Sequence, residues 1–381
     1  MRVGYQMFMS NYTSWSGAVT DVPALSDAAV YESEMRLVEL ADEIGFDTVW
    51  CVEHHLTPYS MGGSPSHLLM YFAGRLRNVD LGCDVIVLPW HDPLEVAESL
   101  AIIDNLLGGR KLFIGFGRGN SPREFGPLRV DYQTSRERMM ESLDIIRLGL
   151  TQESFSYDGE VFKIPEVSIR PRPRTPDLTQ NMMMVFVSPE TRQAAAESGC
   201  APLITNFSGW GKLERDMEEF RRVRQEKGWK NSSAPVSVTI FVDEDGDRAR
   251  ELGTKHWRQS VELAVWHYDQ TGNPEFLPGV DAAEKKRILD AAYEKQVAGG
   301  FFGTPDEVAE ALIARQSAVD VSEYICLFSY GDMDAAEAER NMRLFADKVM
   351  PRLKAIPCED VRATSWNEMS AERSGRGLQD A

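Results

Sequence analysis

No stretch of this 381-residue chain stays apolar long enough to cross a membrane. The start, Met1-Arg2-Val3-Gly4-Tyr5-Gln6-Met7-Phe8, lacks the basic-then-apolar layout of a secretory signal and reads as a strand that begins at once. The expected location is therefore the cytoplasm. Cysteine is scarce: Cys51, Cys83, Cys200, Cys326 and Cys358 are odd in number, scattered, and form no CxxC. That pattern excludes a disulfide framework and a cysteine-based zinc site, and three of the five fall in apolar runs, as free thiols of a reducing compartment do. Basic residues are outnumbered, 41 Lys and Arg against 59 Asp and Glu, for a net charge of −18. Nucleic acid and anionic membrane surfaces are poor partners for such a chain. Any phosphate on a ligand must then be met by a few well-placed arginines.

What the chain does have is alternation. Short apolar or β-branched runs recur at Val3–Phe8, Thr48–Glu53, Leu81–Leu88, Lys111–Gly115, Met182–Val187, Pro202–Asn206, Val236–Val242 and Glu323–Phe328, with helical patterns between them. Eight strands separated by helices predict an α/β fold, a (β/α)8 TIM barrel with insertions at its C-terminal face. Several strands are apolar on both faces, as strands covered on both sides are. Thr304-Pro305-Asp306-Glu307 carries the chemistry of a helix start, and Gly45 that of a helix end. Residues 1–358 are expected to form one domain, with an insertion at about 151–181 and extra helices at about 207–302. The polar stretch 359–381 is expected to be a disordered tail.

In a barrel, reactive groups sit where strands run into loops at the C-terminal face. The second strand ends in Glu53-His54-His55. Neighbouring strand side chains point to opposite faces, so these two histidines do not easily share a metal, and none is expected. One imidazole, His54, can face the site as a hydrogen-bonding or acid/base group; a satisfied buried pair fits as well. The fourth strand ends in Gly115-Phe116-Gly117-Arg118-Gly119, where alternating glycines let the backbone approach a flat or phosphorylated ligand, or simply make a tight turn. Ser188 and Thr191 open one helix and Ser135-Arg136 another. Each fits an ordinary cap; together with Arg118 they would form an anion clamp. Phe8, Trp50, Tyr59, Met61, Trp90 and Phe116 could line the mouth, roofed by the 151–181 insertion.

These pieces together resemble the bacterial luciferase-like family of flavin-dependent monooxygenases. The resemblance rests on Gly45–Trp50 leading into Glu53-His54-His55, on Val85–Pro89 with His91 and Pro93, on Gly109–Phe113 running into Gly115–Gly119, and on Ser188-x-x-Thr191. It implies FMN, as FMNH2, with its phosphate held by Arg118, Arg136, Ser188 and Thr191 beside Gly117 and Gly119. It also implies a non-prolyl cis peptide at Asp84–Val85 under the ring, and His54 next to the oxygen adduct, supported by Glu53 and His55. The implied reaction uses FMNH2 and O2 through a C4a-(hydro)peroxyflavin to oxygenate a small apolar organic substrate. The implied partners are a separate NAD(P)H:flavin reductase and a second copy of the chain in a homodimer. Gly117 stands where light-emitting members carry a reactive cysteine, which tells against bioluminescence and a long-chain aldehyde substrate. An F420-dependent oxidoreductase of the same superfamily and a non-catalytic flavin-binding barrel are the alternatives.

Overall fold

A computed structural model of the chain describes residues 1–186, 188–205, 209–269, 279–359, 361–365 and 369. In chain order the strands are β1 (Arg2–Met7), β2 (Thr48–Cys51), β3 (Asp80–Val87), β4 (Leu112–Gly117), β5 (Phe155–Asp158), β6 (Lys163–Val167), β7 (Met182–Val185), β8 (Ala201–Thr205), β9 (Ala234–Val242), β10 (Phe301–Gly303) and β11 (Val321–Leu327). The helices are α1 (Asp27–Ile44), α2 (Pro65–Arg75), α3 (Pro93–Leu107), α4 (Pro122–Leu128), α5 (Ser135–Thr151) and α6 (Pro189–Ser198), followed by α7 (Trp210–Glu226), α8 (Gly246–His267), α9 (Ala282–Val297), α10 (Pro305–Val319), α11 (Ala335–Lys348) and α12 (Met350–Lys354). Strands β1, β2, β3, β4, β7, β8, β9 and β11 pair in parallel in that order, and β11 returns to β1. This is a closed (β/α)8 barrel, and all eight expected strands belong to it. The ends of the expected fifth and sixth strands, Val187 and Asn206, lie outside the described residues. Among the described residues no helix is long and apolar enough to cross a membrane.

Local chemistry places the helices. Ser26 caps α1 through the Ala29 N–H, and Gly45 ends it in the left-handed region at φ 94°. Thr304 and Glu307 form a reciprocal capping box on α10, as their spacing predicts. Inside the barrel, one side chain sets the packing. Trp50 is fully buried, and Gly4 and Gly82 on the flanking strands make room for it. A Cβ on Gly82 would stand 2.4 Å from the Trp50 ring. Phe113 stacks on Trp50 at 5.7 Å, and Met183, Ala201, Leu203 and Ile325 complete this inner layer. Trp50 therefore fills the barrel rather than lining its mouth. Phe116 is likewise fully buried, in the larger core shared with the helices.

Three features differ from or add to what the sequence suggests. The 151–181 insertion is built on an antiparallel hairpin, β5–β6, that lies along the outer flank of α5 and α3 instead of roofing the mouth. Phe155 and Ile169 approach Gly149, Glu141 accepts the N–H groups of Glu160, Val161 and Phe162, and Thr175 bonds Asp104. Second, among the loops that rise from the C-terminal face, 8–26, 52–64 and 118–134 are long, and the last contains α4, which the sequence did not announce. Third, the expected disordered tail is ordered where it is described. Ala363 donates to Gln180 O and Thr364 to Gly199 O, and Val361 packs into the inner barrel layer. Most of residues 366–381 lie outside the described residues.

Candidate active site

Glu53, two residues beyond β2, carries a carboxylate that is almost wholly buried. It accepts from the Val87 N–H at 2.6 Å, from His91 Nε2 at 2.6 Å and from His55 Nε2 at 2.9 Å. Burial opposes its charge, but the bonds from His55 and His91 outweigh it and hold the carboxyl below its ordinary range. His91 moves up in return: burial pulls it down, and the Glu53 carboxylate overrides that. Glu53 and His55 thus knit the ends of β2 and β3 together.

His54, in the loop after β2, turns instead toward α4. Its Nδ1 lies 3.2 Å from Oε1 of Glu124, a residue on α4 that also accepts the His55 N–H at 2.8 Å. On the far side of Glu124, His267 Nε2 stands 3.5 Å from Oε2, and His267 Nδ1 shares a 2.8 Å hydrogen bond with Thr57 Oγ1. Burial opposes the Glu124 charge, yet the imidazoles on either side bring the carboxyl down to about 2. Burial also drives His267 down to about 4, against the attraction of Glu124. Aromatic rings enclose the group: Tyr59 meets His54 edge-on at 4.7 Å and stacks on His267 at 4.5 Å, with Phe8 and Tyr268 beside them. Neither Glu124 nor His267 was legible as a site residue. Only the Ser121-Pro122 helix start could have flagged α4, and His267 lay at the end of what read as an extra helix.

Asp84 and Val85 are joined by a cis peptide bond. The Asp84 carboxylate forms the floor below His54, taking hydrogen bonds from Ser237 Oγ at 2.8 Å and Gln6 Nε2 at 3.3 Å. Burial pushes it up to about 6, against the Ser237 bond and the nearby His54. Its Oδ1 has no partner, and neither do Ser10 Oγ, Trp90 Nε1 and His267 Nε2. Four of the seven such buried atoms among the described residues thus gather at this one mouth, where a ligand could satisfy them.

The glycines after β4 act through packing. A Cβ on Gly117 would meet Val85 at 2.7 Å, so the cis-bonded residue fills the space this glycine leaves. Gly119 has φ 77° and lies against Trp90 and Val87. Next to it, the Arg118 guanidinium stacks on Tyr132 at 4.6 Å and bonds its hydroxyl. Ser188 and Thr191 form a reciprocal capping box at the start of α6. Glu190 in the same turn is held below the ordinary carboxylate range, first by a bond from Ser188, with Arg136 and Arg118 contributing. The charges of Arg136, in the first turn of α5, and of Arg118, just past β4, thus act on the first turn of α6, where Ser188 and Thr191 stand.

A family profile described as luciferase-like monooxygenase matches residues 12–321. The chain belongs to that family. It is 28% identical over 348 residues to an alkanal monooxygenase alpha chain of Photorhabdus luminescens, covering 87% of this chain and 94% of that one. It is 32% identical over 332 residues to a 4-hydroxyprotoasukamycin monooxygenase of Streptomyces nodosus subsp. asukaensis, covering 84% and 86%. Among solved structures, the oxygenating constituent of a type II Baeyer–Villiger enzyme from Pseudomonas putida, 3,6-diketocamphane monooxygenase in complex with FMN, superposes with a TM-score of 0.70 at 19% identity. That match covers 94% of this chain and 99% of the other. An F420-dependent secondary alcohol dehydrogenase has the same fold, with a TM-score of 0.68 at 14% identity over 92% and 98%. With family membership, the chain falls in the oxidoreductases.

Proposed function

We propose that this luciferase-like monooxygenase binds reduced FMN at the mouth of its barrel and uses dioxygen to oxygenate a small apolar organic substrate. The observation that carries the proposal is that the charges of Arg118 and Arg136 act on the first turn of α6, where Ser188 and Thr191 form a capping box. In a chain of net charge −18 such a cationic cluster needs a reason, and a ligand phosphate supplies one. The ring would lie over the Asp84–Val85 bond, against the unpartnered polar atoms of the mouth. Reduced flavin supplies the two electrons that activate dioxygen. The protein contributes the rest: Phe8, Tyr59, Trp90 and Tyr268 exclude water, and Glu124 fixes the ring plane of His54, which holds a proton at the reacting edge.

Among the described residues there is one barrel and no second nucleotide-binding sheet, which supports delivery of reduced flavin by a separate NAD(P)H:flavin reductase. A homodimer is part of the same proposal. Titration with FMN tests the clamp: Arg118→Ala and Arg136→Ala should each weaken binding roughly 10- to 100-fold, the value of a charged hydrogen bond, while riboflavin, lacking the phosphate, should bind all forms alike. Photoreduced FMN mixed with protein and then oxygen should return to oxidised FMN far more slowly than free FMN does. Equal rates would sink the oxygenase reading. Substrate oxidation that proceeds equally without oxygen would favour the F420 chemistry found on the same fold.

A further inference from the structure

We propose that His54, Glu124 and His267 form a site for a divalent transition-metal cation of the zinc type. Each offers one ligand atom, and the three atoms lie within 4.8 Å of one another. Two imidazoles and one carboxylate make a donor set suited to Zn2+, with a position left for water or a ligand. The adjacency that disfavours a metal between His54 and His55 does not apply, because the second imidazole arrives from the end of α8.

The geometry goes further than a chance cluster. His267 is fully buried, and its Nε2 makes no hydrogen bond although it points at Glu124 from 3.5 Å. His267 Nδ1 shares its hydrogen bond with Thr57 Oγ1, and in the tautomer in which Nδ1–H is the donor, Nε2 is a bare lone pair, which is how a protein presents histidine to a metal. Thr57 thereby occupies the place of an orienting outer partner. Glu124 is fixed in the same way, by the His55 N–H on Oε1. The 3.2 and 3.5 Å separations already match the spacing of two ligands on one ion at a metal–nitrogen distance of about 2.0–2.1 Å, and the widest separation, up to 4.8 Å, would close by roughly an ångström on binding. Bound there, the cation would take His54 through Nδ1 and leave its proton on Nε2. The site stands independently of the flavin proposal, since it can be read without flavin.

The test uses the full-length, metal-stripped protein and Co2+ as a coloured stand-in for Zn2+. One equivalent of Co2+ should give a visible absorption band, and one equivalent of Zn2+ should bleach it. His267→Gln and Glu124→Gln should each weaken Co2+ binding at least 10-fold. Because substitution of the buried His267 also puts folding at stake, Thr57→Val provides a second arm: it should weaken binding about 10- to 100-fold with an unchanged circular dichroism spectrum. FMN titration of the same samples separates this result from the clamp. Absence of a band at equimolar Co2+, or a band of full strength in Thr57→Val, would overturn the proposal.

Discussion

Glu34 shows what a single buried carboxyl costs. It sits in α1 with Tyr5 OH at 3.3 Å, and burial lifts it to about 7 despite bonds from Ser329, Tyr5 and the Met9 and Phe8 N–H groups. In the unfolded chain the same group ionises near 4.5. Between these values the folded state binds the extra proton, so stability falls as pH rises through this window and is constant above it. Glu34→Gln removes the penalty while keeping the shape. It should be more stable than the parent at pH 8, by at most about 3 kcal/mol, and the difference should vanish near pH 4. Urea denaturation at the two pH values checks this; a pH-independent difference would show that the carboxyl does not titrate in the fold. The Asp84 carboxyl follows the same sign with a smaller rise.

At the scale of elements, the barrel depends on one large residue opposed by glycines. Gly82→Ala drives a Cβ into Trp50 and should cost about 1–3 kcal/mol, while pairing it with Trp50→Phe should recover part of the loss. Thermal melts of the two single variants and the double variant decide it, and strict additivity would argue against the contact. The same strands explain what the sequence could reveal. The eight barrel strands were legible because they are covered on both sides and so read as short runs rich in apolar residues, Met182–Val185 wholly apolar and Val321–Leu327 broken only by Ser322 and Glu323. The β5–β6 hairpin was not, since Lys163–Val167 is largely exposed and holds Pro165. Three-residue β10 gives too short a pattern, and α4 carries Gly126 and Pro127 within seven residues. The site divides the same way. Glu53 and His54 follow β2 and Asp84 lies in β3, where the strand pattern brings them under scrutiny. Glu124 and His267 reach His54 only through the folding of α4 and α8, and no local spacing encodes that meeting.

At the scale of the whole molecule the barrel has one open end and one stoppered end. The mouth holds His54 and Asp84, and the proposed arginine clamp belongs to the same end. At the opposite end, Arg2 reaches Asp80 and Glu323, and Glu323 takes the Trp50 indole N–H at 2.8 Å. The described tail crosses this end. Arg362 N–H donates to Ser232 Oγ, Ala363 to Gln180 O, Thr364 to Gly199 O, and Ser365 Oγ to Asp177. These partners precede β9, β7 and β8, so five residues tie three strand starts together. Val361 plugs the inner layer against Trp50, Phe113 and Leu203. The buried Arg224 guanidinium, which burial brings down to about 10, uses Thr364 Oγ1 as one of its acceptors. Truncation after Cys358 would uncover this layer and leave that guanidinium short of a partner. A loss of about 2–4 kcal/mol is expected from the apolar contact and the broken hydrogen bonds together. Because the plug lies at the end away from the mouth, FMN affinity at a temperature where the truncated chain is folded should stay within about 2-fold of the parent, a difference of roughly 0.4 kcal/mol. Chemical denaturation and FMN titration on the same preparation separate the two. An unchanged unfolding midpoint would mean that the tail merely rests on the barrel. A large loss of flavin affinity would mean that its two ends are coupled through the Trp50 layer.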